Sequence, residues 1–173
     1  TDVAVRRELA ERLLPSPLVR ADALAIHRLL RRLNAVRAQA AEESGDEVAL
    51  VPLTAADLVS DPQTWRPFIE QAEQAGGKRA RAAAMLARPL ETAARLWELG
   101  MNGSARPQER LWSLWEASGV ASEWRSRAIA SDASSGWYDD QLDAVVALLR
   151  VADVWEQRNP AGSAVRFASE LLA

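Results

Sequence analysis

The sequence predicts an all-α protein, an irregular bundle of several helices, and three observations support that fold class. Apolar residues recur every three or four positions along most of the chain, as they do on one face of a helix. The strict two-residue alternation that marks a half-buried strand is nearly absent. Hydrophobic residues make up 49% of the 173 residues and charged residues 26%, which is typical of a globular protein. We therefore predict one helical domain over residues 1–173.

A proline-containing turn separates the first two predicted helices. The first helix covers residues 3–14 and ends before Pro15, because proline lacks the amide hydrogen and restricts the residue that precedes it. Asp22 is a favourable N-cap for the second helix, since its side chain can accept a hydrogen bond from a free amide. The apolar stripes that we expect to be buried are Val5, Leu9 and Leu13 in the first helix, and Ile26, Leu29, Leu30, Leu33, Val36 and Ala40 in the second.

The middle of the chain is predicted to contain short or interrupted helices. Residues 42–52 form an acidic loop, after which Thr54 is the N-cap of a short helix. Residues 63–101 are helical in pattern, but Gly76-Gly77 predicts a break and Pro89 predicts either a second break or a kink.

Four helices are predicted in the last third of the chain. Pro107 suits the first position of a helix, Gly119 suits its C-terminal end, and a short helix follows around Trp124. The longest helix covers about residues 137–158 and has a wide apolar face, so we expect it at the centre of the domain. The last helix carries its apolar residues at Val165, Ala168, Leu171 and Leu172.

The net charge of −3 is unevenly distributed along the chain. Residues 1–40 contain eight arginines against four acidic residues, and residues 76–110 contain seven basic against three acidic residues. Residues 41–75 and 111–173 are both acidic overall. A protein that contacted duplex DNA along its whole length would be more basic. Any nucleic-acid contact is therefore predicted to be local, through one of the two basic blocks.

The residue types exclude several kinds of site. The chain has no cysteine, which rules out disulfides and thiolate metal sites and fits a reducing compartment. No apolar run approaches the length needed to cross a bilayer. We therefore predict a cytoplasmic protein without membrane contact.

Enzymatic chemistry has little support in the sequence. Asp139, Asp140 and Asp143 have a spacing that can hold magnesium, but acidic residues are also favoured at a helix start, and we prefer that interpretation. Gly76-Gly77-Lys78 lacks the leading glycine and the following Ser or Thr of a phosphate-binding loop. His27, the single histidine, is predicted to be half-buried and to pack against neighbouring side chains without a catalytic or ligand role. We predict no catalytic residue, metal or cofactor in this chain, and a metal-dependent enzyme is the weakest alternative.

Four arginines near the start of the chain form the best candidate binding site. Arg28, Arg31 and Arg32 lie on the face of the second helix opposite its apolar stripe, and Arg20 lies just before that helix. Guanidinium groups near a helix N-terminus suit phosphate groups. The alternative is a solvated helix face that binds no ligand.

Segments at both ends of the chain resemble one protein family. Near the C-terminus they are LWSLWEASGV at 111–120, Trp124-Arg125 and LDAVVAL at 142–148, and near the N-terminus LLPSPL at 13–18 and ADAL at 21–24. They resemble the 2B domain of UvrD/PcrA/Rep-type superfamily 1 DNA helicases, in particular the actinobacterial branch, which includes helicase–nucleases. The middle of the chain matches only in position and helical character.

The resemblance implies an accessory role. In the family, 2B is a helical insertion in the second motor domain of an ATP-driven 3′-to-5′ helicase that acts in DNA repair or recombination. The chain would then be a domain excised from a larger helicase, whose other domains bind ATP and magnesium. The implied partners are duplex DNA, the remaining helicase domains and, where the enzyme has two motors, a partner helicase subunit.

The implied duplex contact departs from the family pattern. The family uses a Gly-Ile-Gly turn between the first two helices, where backbone amides meet a phosphate, but residues 15–21 here contain no glycine. We expect side chains of this turn and the amides near Asp22 to replace it. An alternative is a protein-interaction scaffold that does not contact DNA. The expected DNA-binding residues are Ser16, Arg20, Arg28, Arg31 and Arg32.

Overall fold

Helices, joined by short turns, make up most of the chain that the structure describes. A computed structural model describes residues 3–44, 51–101, 105–130 and 135–171. These residues contain no β-strand, so the predicted all-α fold class is confirmed. None of their helices combines the length and apolar character that crossing a membrane requires. The helices are α1 (Val3–Leu13), α2 (Ala23–Ser44), α3 (Ala55–Ser60), α4 (Arg66–Gln74), α5 (Gly77–Met101), α6 (Pro107–Ser118), α7 (Val120–Ile129), α8 (Ser135–Arg158) and α9 (Ala164–Leu171).

The chain divides into two compact units, which are Thr1–Trp97 (unit 1) and Glu98–Ala173 (unit 2). The boundary falls within α5. Unit 1 therefore contains α1 to α4 and most of α5, and unit 2 contains α6 to α9.

Unit 1 is held together by buried contacts around α3. Trp65, just before α4, is 1% exposed, and its indole Nε1 donates a hydrogen bond to the Leu58 carbonyl at 2.8 Å. Helix α1 packs against α3, and Ala10 of α1 is fully buried. The Asn34 side chain of α2 exchanges two hydrogen bonds with the backbone of Leu53, at 3.1 and 2.7 Å. These bonds fix α2 to the segment that enters α3.

The two predicted N-caps of unit 1 are confirmed. The Asp22 carboxylate accepts a hydrogen bond from the Ala25 amide at 2.6 Å in the first turn of α2. At the start of α3, the Asp57 carboxylate accepts from the amide and the hydroxyl of Thr54, at 2.6 and 2.7 Å. Both helices thus begin where a local side chain satisfies amides that have no partner within the helix.

Burial departs from the predicted stripes on the outer turns of α1 and α2. Val5 and Leu9 of α1 are 45% and 44% exposed, whereas Ala10 and Leu14 are buried. An apolar stripe is buried only where a neighbouring element covers it, and the sequence of one helix does not specify its neighbours. In α2 the buried members of the predicted stripe are Ile26, Leu29 and Leu33, and the exposed members are Val36 and Ala40.

The predicted interruptions of the middle region are partly correct. The break at the glycine pair is confirmed, because α4 ends at Gln74 and α5 begins at Gly77. Helix α5 continues through Pro89, so the second break that we considered there is absent. Helix α2 extends to Ser44, into the predicted acidic loop, and residues 45–50 of that loop lie outside the described residues.

Unit 2 consists of packed helices linked by aromatic contacts. Helix α8 packs against α6 and α7, and α9 packs against α6. Pro107 is the first residue of α6, and Gly119, with φ of +68°, joins α6 to α7, both as predicted. Ring centroids of Trp115 and Trp124 lie 5.3 Å apart, and those of Trp124 and Trp137 lie 6.0 Å apart, in edge-to-face geometry.

The apolar face of α8 is wider than the surface that α6 and α7 cover. The helix begins at Ser135, and its residue Ala152 is fully buried while Val146 is 45% exposed. The predicted central position therefore describes only part of this face. In α9, the buried residue is Phe167, whereas Val165 of the predicted stripe is 64% exposed.

Candidate functional site

The turn between α1 and α2 is closed by its own backbone hydrogen bonds. The amides of Val19 and Arg20 donate to the Ser16 carbonyl at 3.1 and 2.7 Å, and the Ala21 amide donates to the Leu14 carbonyl at 2.9 Å. Three consecutive amides just before α2 are therefore already paired. They do not offer a phosphate the free backbone donors that the resemblance implies at this turn.

Two expected DNA-binding residues of this turn have opposite environments. The Ser16 hydroxyl is buried and has no hydrogen-bond partner among the described residues, so in this conformation it does not face a ligand in solvent. The Arg20 side chain is exposed, and its Nε donates to the Pro17 carbonyl at 3.1 Å. Its backbone has φ of +59°, in the left-handed region that costs a non-glycine residue about 1–2 kcal/mol.

The Arg20 side chain reaches a groove of about 670 Å³ that is lined by α2, α4 and α5. Arginines converge on this groove from three segments: Arg20 from the turn, Arg28 and Arg32 from α2, and Arg79 from the first turns of α5. We call the surface that these four residues share the arginine groove. Among the described residues that line it, the single acidic one is Asp22, whose carboxylate caps α2.

Apolar side chains form most of the remaining lining of the arginine groove. Helix α4 contributes a half-buried aromatic ring and a buried isoleucine, and α5 contributes exposed and half-buried aliphatic groups. The groove therefore combines cationic groups with an apolar surface of appreciable size. The larger apolar lining residues are Leu29, Phe68, Ile69, Met85 and Leu86.

Three arginines of the groove, Arg28, Arg32 and Arg79, have no acidic partner in the part of the chain that the structure describes. Arg28 and Arg79 are exposed and form no ion pair with any residue that the structure describes. The guanidinium of Arg32 lies over the Phe68 ring, 5.4 Å from its centroid, in a cation–π arrangement that leaves the charge in place. An anionic ligand would therefore meet several guanidinium groups without first displacing a carboxylate.

Arg66, in the same unit, differs from these arginines because it forms an ion pair. Its Nε and a terminal nitrogen each donate a hydrogen bond of 2.7 Å to the two carboxylate oxygens of Glu91. These hydrogen bonds lower the pKa of Glu91 and raise the pKa of Arg66. A bidentate partner neutralises Arg66, so we do not include it among the candidate binding groups.

The structure brings together some of the expected binding residues and adds one that sequence reasoning missed. Arg20, Arg28 and Arg32 line the groove, whereas Arg31 is exposed on α2 and is not part of the lining. Arg79 was not predicted as part of the site. The signal available for it was the basic block that begins at residue 76, but no periodicity links that block to α2.

A glycine corner places Arg79 at the groove. Gly76 and Gly77 both have positive φ, +71° and +61°, and this left-handed pair turns the chain between α4 and α5. A Cβ atom at either glycine would meet no atom within 4 Å, so backbone conformation and not packing accounts for glycine at these positions. The corner brings the first turns of α5 next to α4, where Arg79 lines the groove.

The other chemical candidates of the sequence are solvent-exposed. Asp139, Asp140 and Asp143 are exposed on the first turns of α8, and the described part of the chain contains no group of three potential ligands that could hold a metal ion. His27 is exposed, so the prediction of half-buried packing was wrong. It lies on the solvent side of α2, where no neighbouring element covers it.

Comparison of the chain with protein-family models, with curated proteins and with solved structures gave no match. The fold and the site together define a helical protein with a cationic, partly apolar groove in unit 1.

Proposed function

We propose that this chain is a non-catalytic accessory domain of an ATP-dependent 3′-to-5′ DNA helicase, and that it binds DNA phosphates in the arginine groove. The observation that carries the proposal is the convergence of Arg20, Arg28, Arg32 and Arg79, from three chain segments, on one groove whose described lining contains a single acidic residue. The resemblance of both ends of the chain to helicase 2B domains supports the helicase context. In that context the protein is cytoplasmic, and ATP and magnesium bind elsewhere in the parent enzyme.

Side chains, not backbone amides, would make the contact. Phosphate recognition requires only position and positive charge, and arginine forks satisfy both. The amides of Val19, Arg20 and Ala21 are paired within the turn, which favours guanidinium contacts over the backbone contact of the family. Because the whole chain carries a net charge of −3, binding would be confined to the groove.

Fluorescence anisotropy tests this proposal directly. The labelled probe is a duplex with a 3′ single-stranded tail, titrated with the full chain across a series of salt concentrations. We expect affinity to fall steeply with salt, and each groove arginine changed to Ala to lower the slope of log K against log[salt] by about 1. Arg31→Ala is the matched control, because Arg31 lies on the same helix outside the groove. Absence of binding at low salt would refute the proposal.

A second candidate function, a protein-interaction scaffold, is favoured by the apolar part of the groove. Met85, one of its lining residues, is 79% exposed, so the groove presents an open apolar side chain beside the half-buried Phe68 and Leu86. On this alternative, changing all four groove arginines to Ala leaves DNA affinity at the level of the wild type. Steady ATP hydrolysis by the purified chain would contradict both candidates, since neither assigns a nucleotide site to it.

A further inference from the structure

We propose that the arginine groove takes single-stranded DNA, with phosphates on the arginines and bases against the apolar lining. This inference rests on the proposed function and specifies which part of a tailed DNA substrate the domain binds. The observation behind it is that one groove combines apolar side chains with three guanidinium groups, those of Arg28, Arg32 and Arg79, that have no acidic partner among the described residues.

A duplex would contact the arginines of this groove but not its apolar lining. Its phosphates face outward while its base faces are stacked inside, so a duplex seated on the arginines leaves the apolar lining against water or against polar backbone. A single strand exposes both kinds of surface, because its unpaired bases can turn away from the phosphates and cover apolar side chains. The groove lining matches the second case, because Phe68, Met85 and Leu86 present exposed or half-buried apolar surface in the same groove as the arginines.

Phe68 and Arg32 form a stacking position within the groove. Phe68 lies in the first turn of α4, half-buried, and the Arg32 guanidinium lies 5.4 Å from its ring centroid. Bases stack on aromatic rings and on guanidinium planes, and here the guanidinium lies over the ring. The pair therefore provides a flat surface for one base next to the phosphate-binding charges of Arg28.

The size of the groove agrees with a short stretch of strand. Its volume of about 670 Å³ is within the range of sites that enclose small organic ligands. That space suits roughly one or two nucleotides with their phosphates. A longer strand would continue over the exposed edge at Met85, which is 79% exposed.

The test compares the affinity of the full chain for labelled oligo(dT) of about 12 nucleotides with its affinity for a blunt duplex of the same length. We expect the single strand to bind about 5-fold tighter or more. Phe68→Leu keeps an apolar side chain in the groove but removes the ring, and should cost about 5-fold or more in affinity for oligo(dT). Its affinity for the duplex should fall by a smaller factor, because a duplex offers no unpaired base to the ring.

Arg32→Lys is a second variant that does not depend on changing the apolar lining. It keeps the charge but removes the guanidinium plane, so oligo(dT) affinity should fall while the salt slope stays the same. Arg31→Lys, on the same helix outside the groove, is the control and should bind as the wild type does. Helical circular dichroism and thermal melting verify that each variant is folded.

The outcomes separate this inference from the proposed function. Duplex binding equal to or tighter than oligo(dT) binding, with the groove arginines still required, overturns the single-strand inference and leaves the proposed function standing. Failure of both DNA probes at low salt overturns the proposed function as well. Should DNA fail while an acidic amphipathic peptide with a leucine face binds and requires Arg28 and Arg79, the groove is a protein-docking surface.

Discussion

Arg20 combines two properties that rarely occur together in one residue. It lies in the left-handed region with φ of +59°, and its side chain also lines the candidate binding groove. The backbone bond from its amide to the Ser16 carbonyl, 2.7 Å long, closes the turn and holds this conformation. A glycine would adopt the same backbone without strain but would remove the guanidinium. The strain is therefore consistent with a binding role for the side chain.

The backbone of Arg20 can be tested apart from its charge. Arg20→Asn and Arg20→Val both remove the guanidinium, but Asn tolerates the left-handed region and a β-branched side chain does not. We expect the Val variant to be less stable than the Asn variant by about 1–2 kcal/mol. Urea denaturation followed by tryptophan fluorescence measures the difference, and equal stabilities would contradict the strain at this position.

The pair of Arg66 and Glu91 predicts a small dependence of stability on pH. Hydrogen bonds from Arg66 lower the pKa of Glu91, so the folded state binds this proton less readily than the unfolded state. The resulting stabilisation is complete above the ordinary pKa of Glu and is lost as pH falls through the lowered value. Glu91→Gln should lower Tm at neutral pH by about 2 °C or less, since the pair is partly exposed.

The measurement for that pair is a series of thermal melts from about pH 7 to about pH 3. The difference in Tm between wild type and Glu91→Gln should shrink at the acid end. A constant difference across the series would mean that the ionic form of Glu91 contributes nothing.

The α8–α9 turn restricts the residue type at one position, Gly162. Gly162 lies so close to the Trp155 ring that a Cβ atom there would overlap it, and the same atom would lie 3.0 Å from the Asn159 carbonyl. The ring cannot move freely, because its Nε1 donates to Glu170 at 2.7 Å and its edge contacts Phe167, with centroids 5.5 Å apart. Packing of α9 therefore depends on the absence of a side chain at one position.

Gly162→Ala should destabilise the protein by about 1–3 kcal/mol, the usual cost of overpacking a well-filled contact. Gly136→Ala is the matched control, since a Cβ there meets no atom within 4 Å and Ala is the better helix former. Chemical denaturation of the two variants gives the comparison. A Gly162→Ala protein as stable as the wild type would show that the Trp155 ring relaxes at no cost.

Capped helix ends were predictable from the sequence, whereas the buried faces of the helices were predictable only in part. Asp22, Thr54, Pro107 and Gly119 mark the ends because capping depends on residues within one or two turns of each other. Burial depends on which elements become neighbours, and that information is distributed over the whole chain. Val5 of α1 belongs to an apolar stripe and is nonetheless 45% exposed.

In the candidate site, too, residues close in sequence were predicted, and residues brought in by contacts between helices were missed. Arg20, Arg28 and Arg32 were predictable as a group because they are close in sequence. Arg79 joins them only because the Gly76-Gly77 corner brings α5 beside α4, and no local pattern encodes that contact. The apolar lining that α4 adds to the site was missed for the same reason.

At the scale of the whole chain, the number of arginines in the groove sets the expected salt dependence of DNA affinity. The net charge is −3, and four arginines supply the cationic part of the groove. A single strand that contacts all four would give a slope of log K against log[salt] of about −3. Titrations of oligo(dT) from low to physiological salt measure this slope. A much steeper value would require phosphate contacts well beyond the groove.

Pro89 gives α5 two halves that should differ in their opening rates. Proline has no amide hydrogen, so the Met85 carbonyl lacks the donor that would otherwise come from position 89. The half before Pro89 starts at the glycine corner and lines the groove, and the half after it contains the fully buried Leu90. Amide hydrogens of residues 78–88 should therefore exchange with deuterium sooner than those of residues 90–100. A strand bound in the groove would slow exchange in the first half alone, so that occupancy could be measured without labelling the DNA.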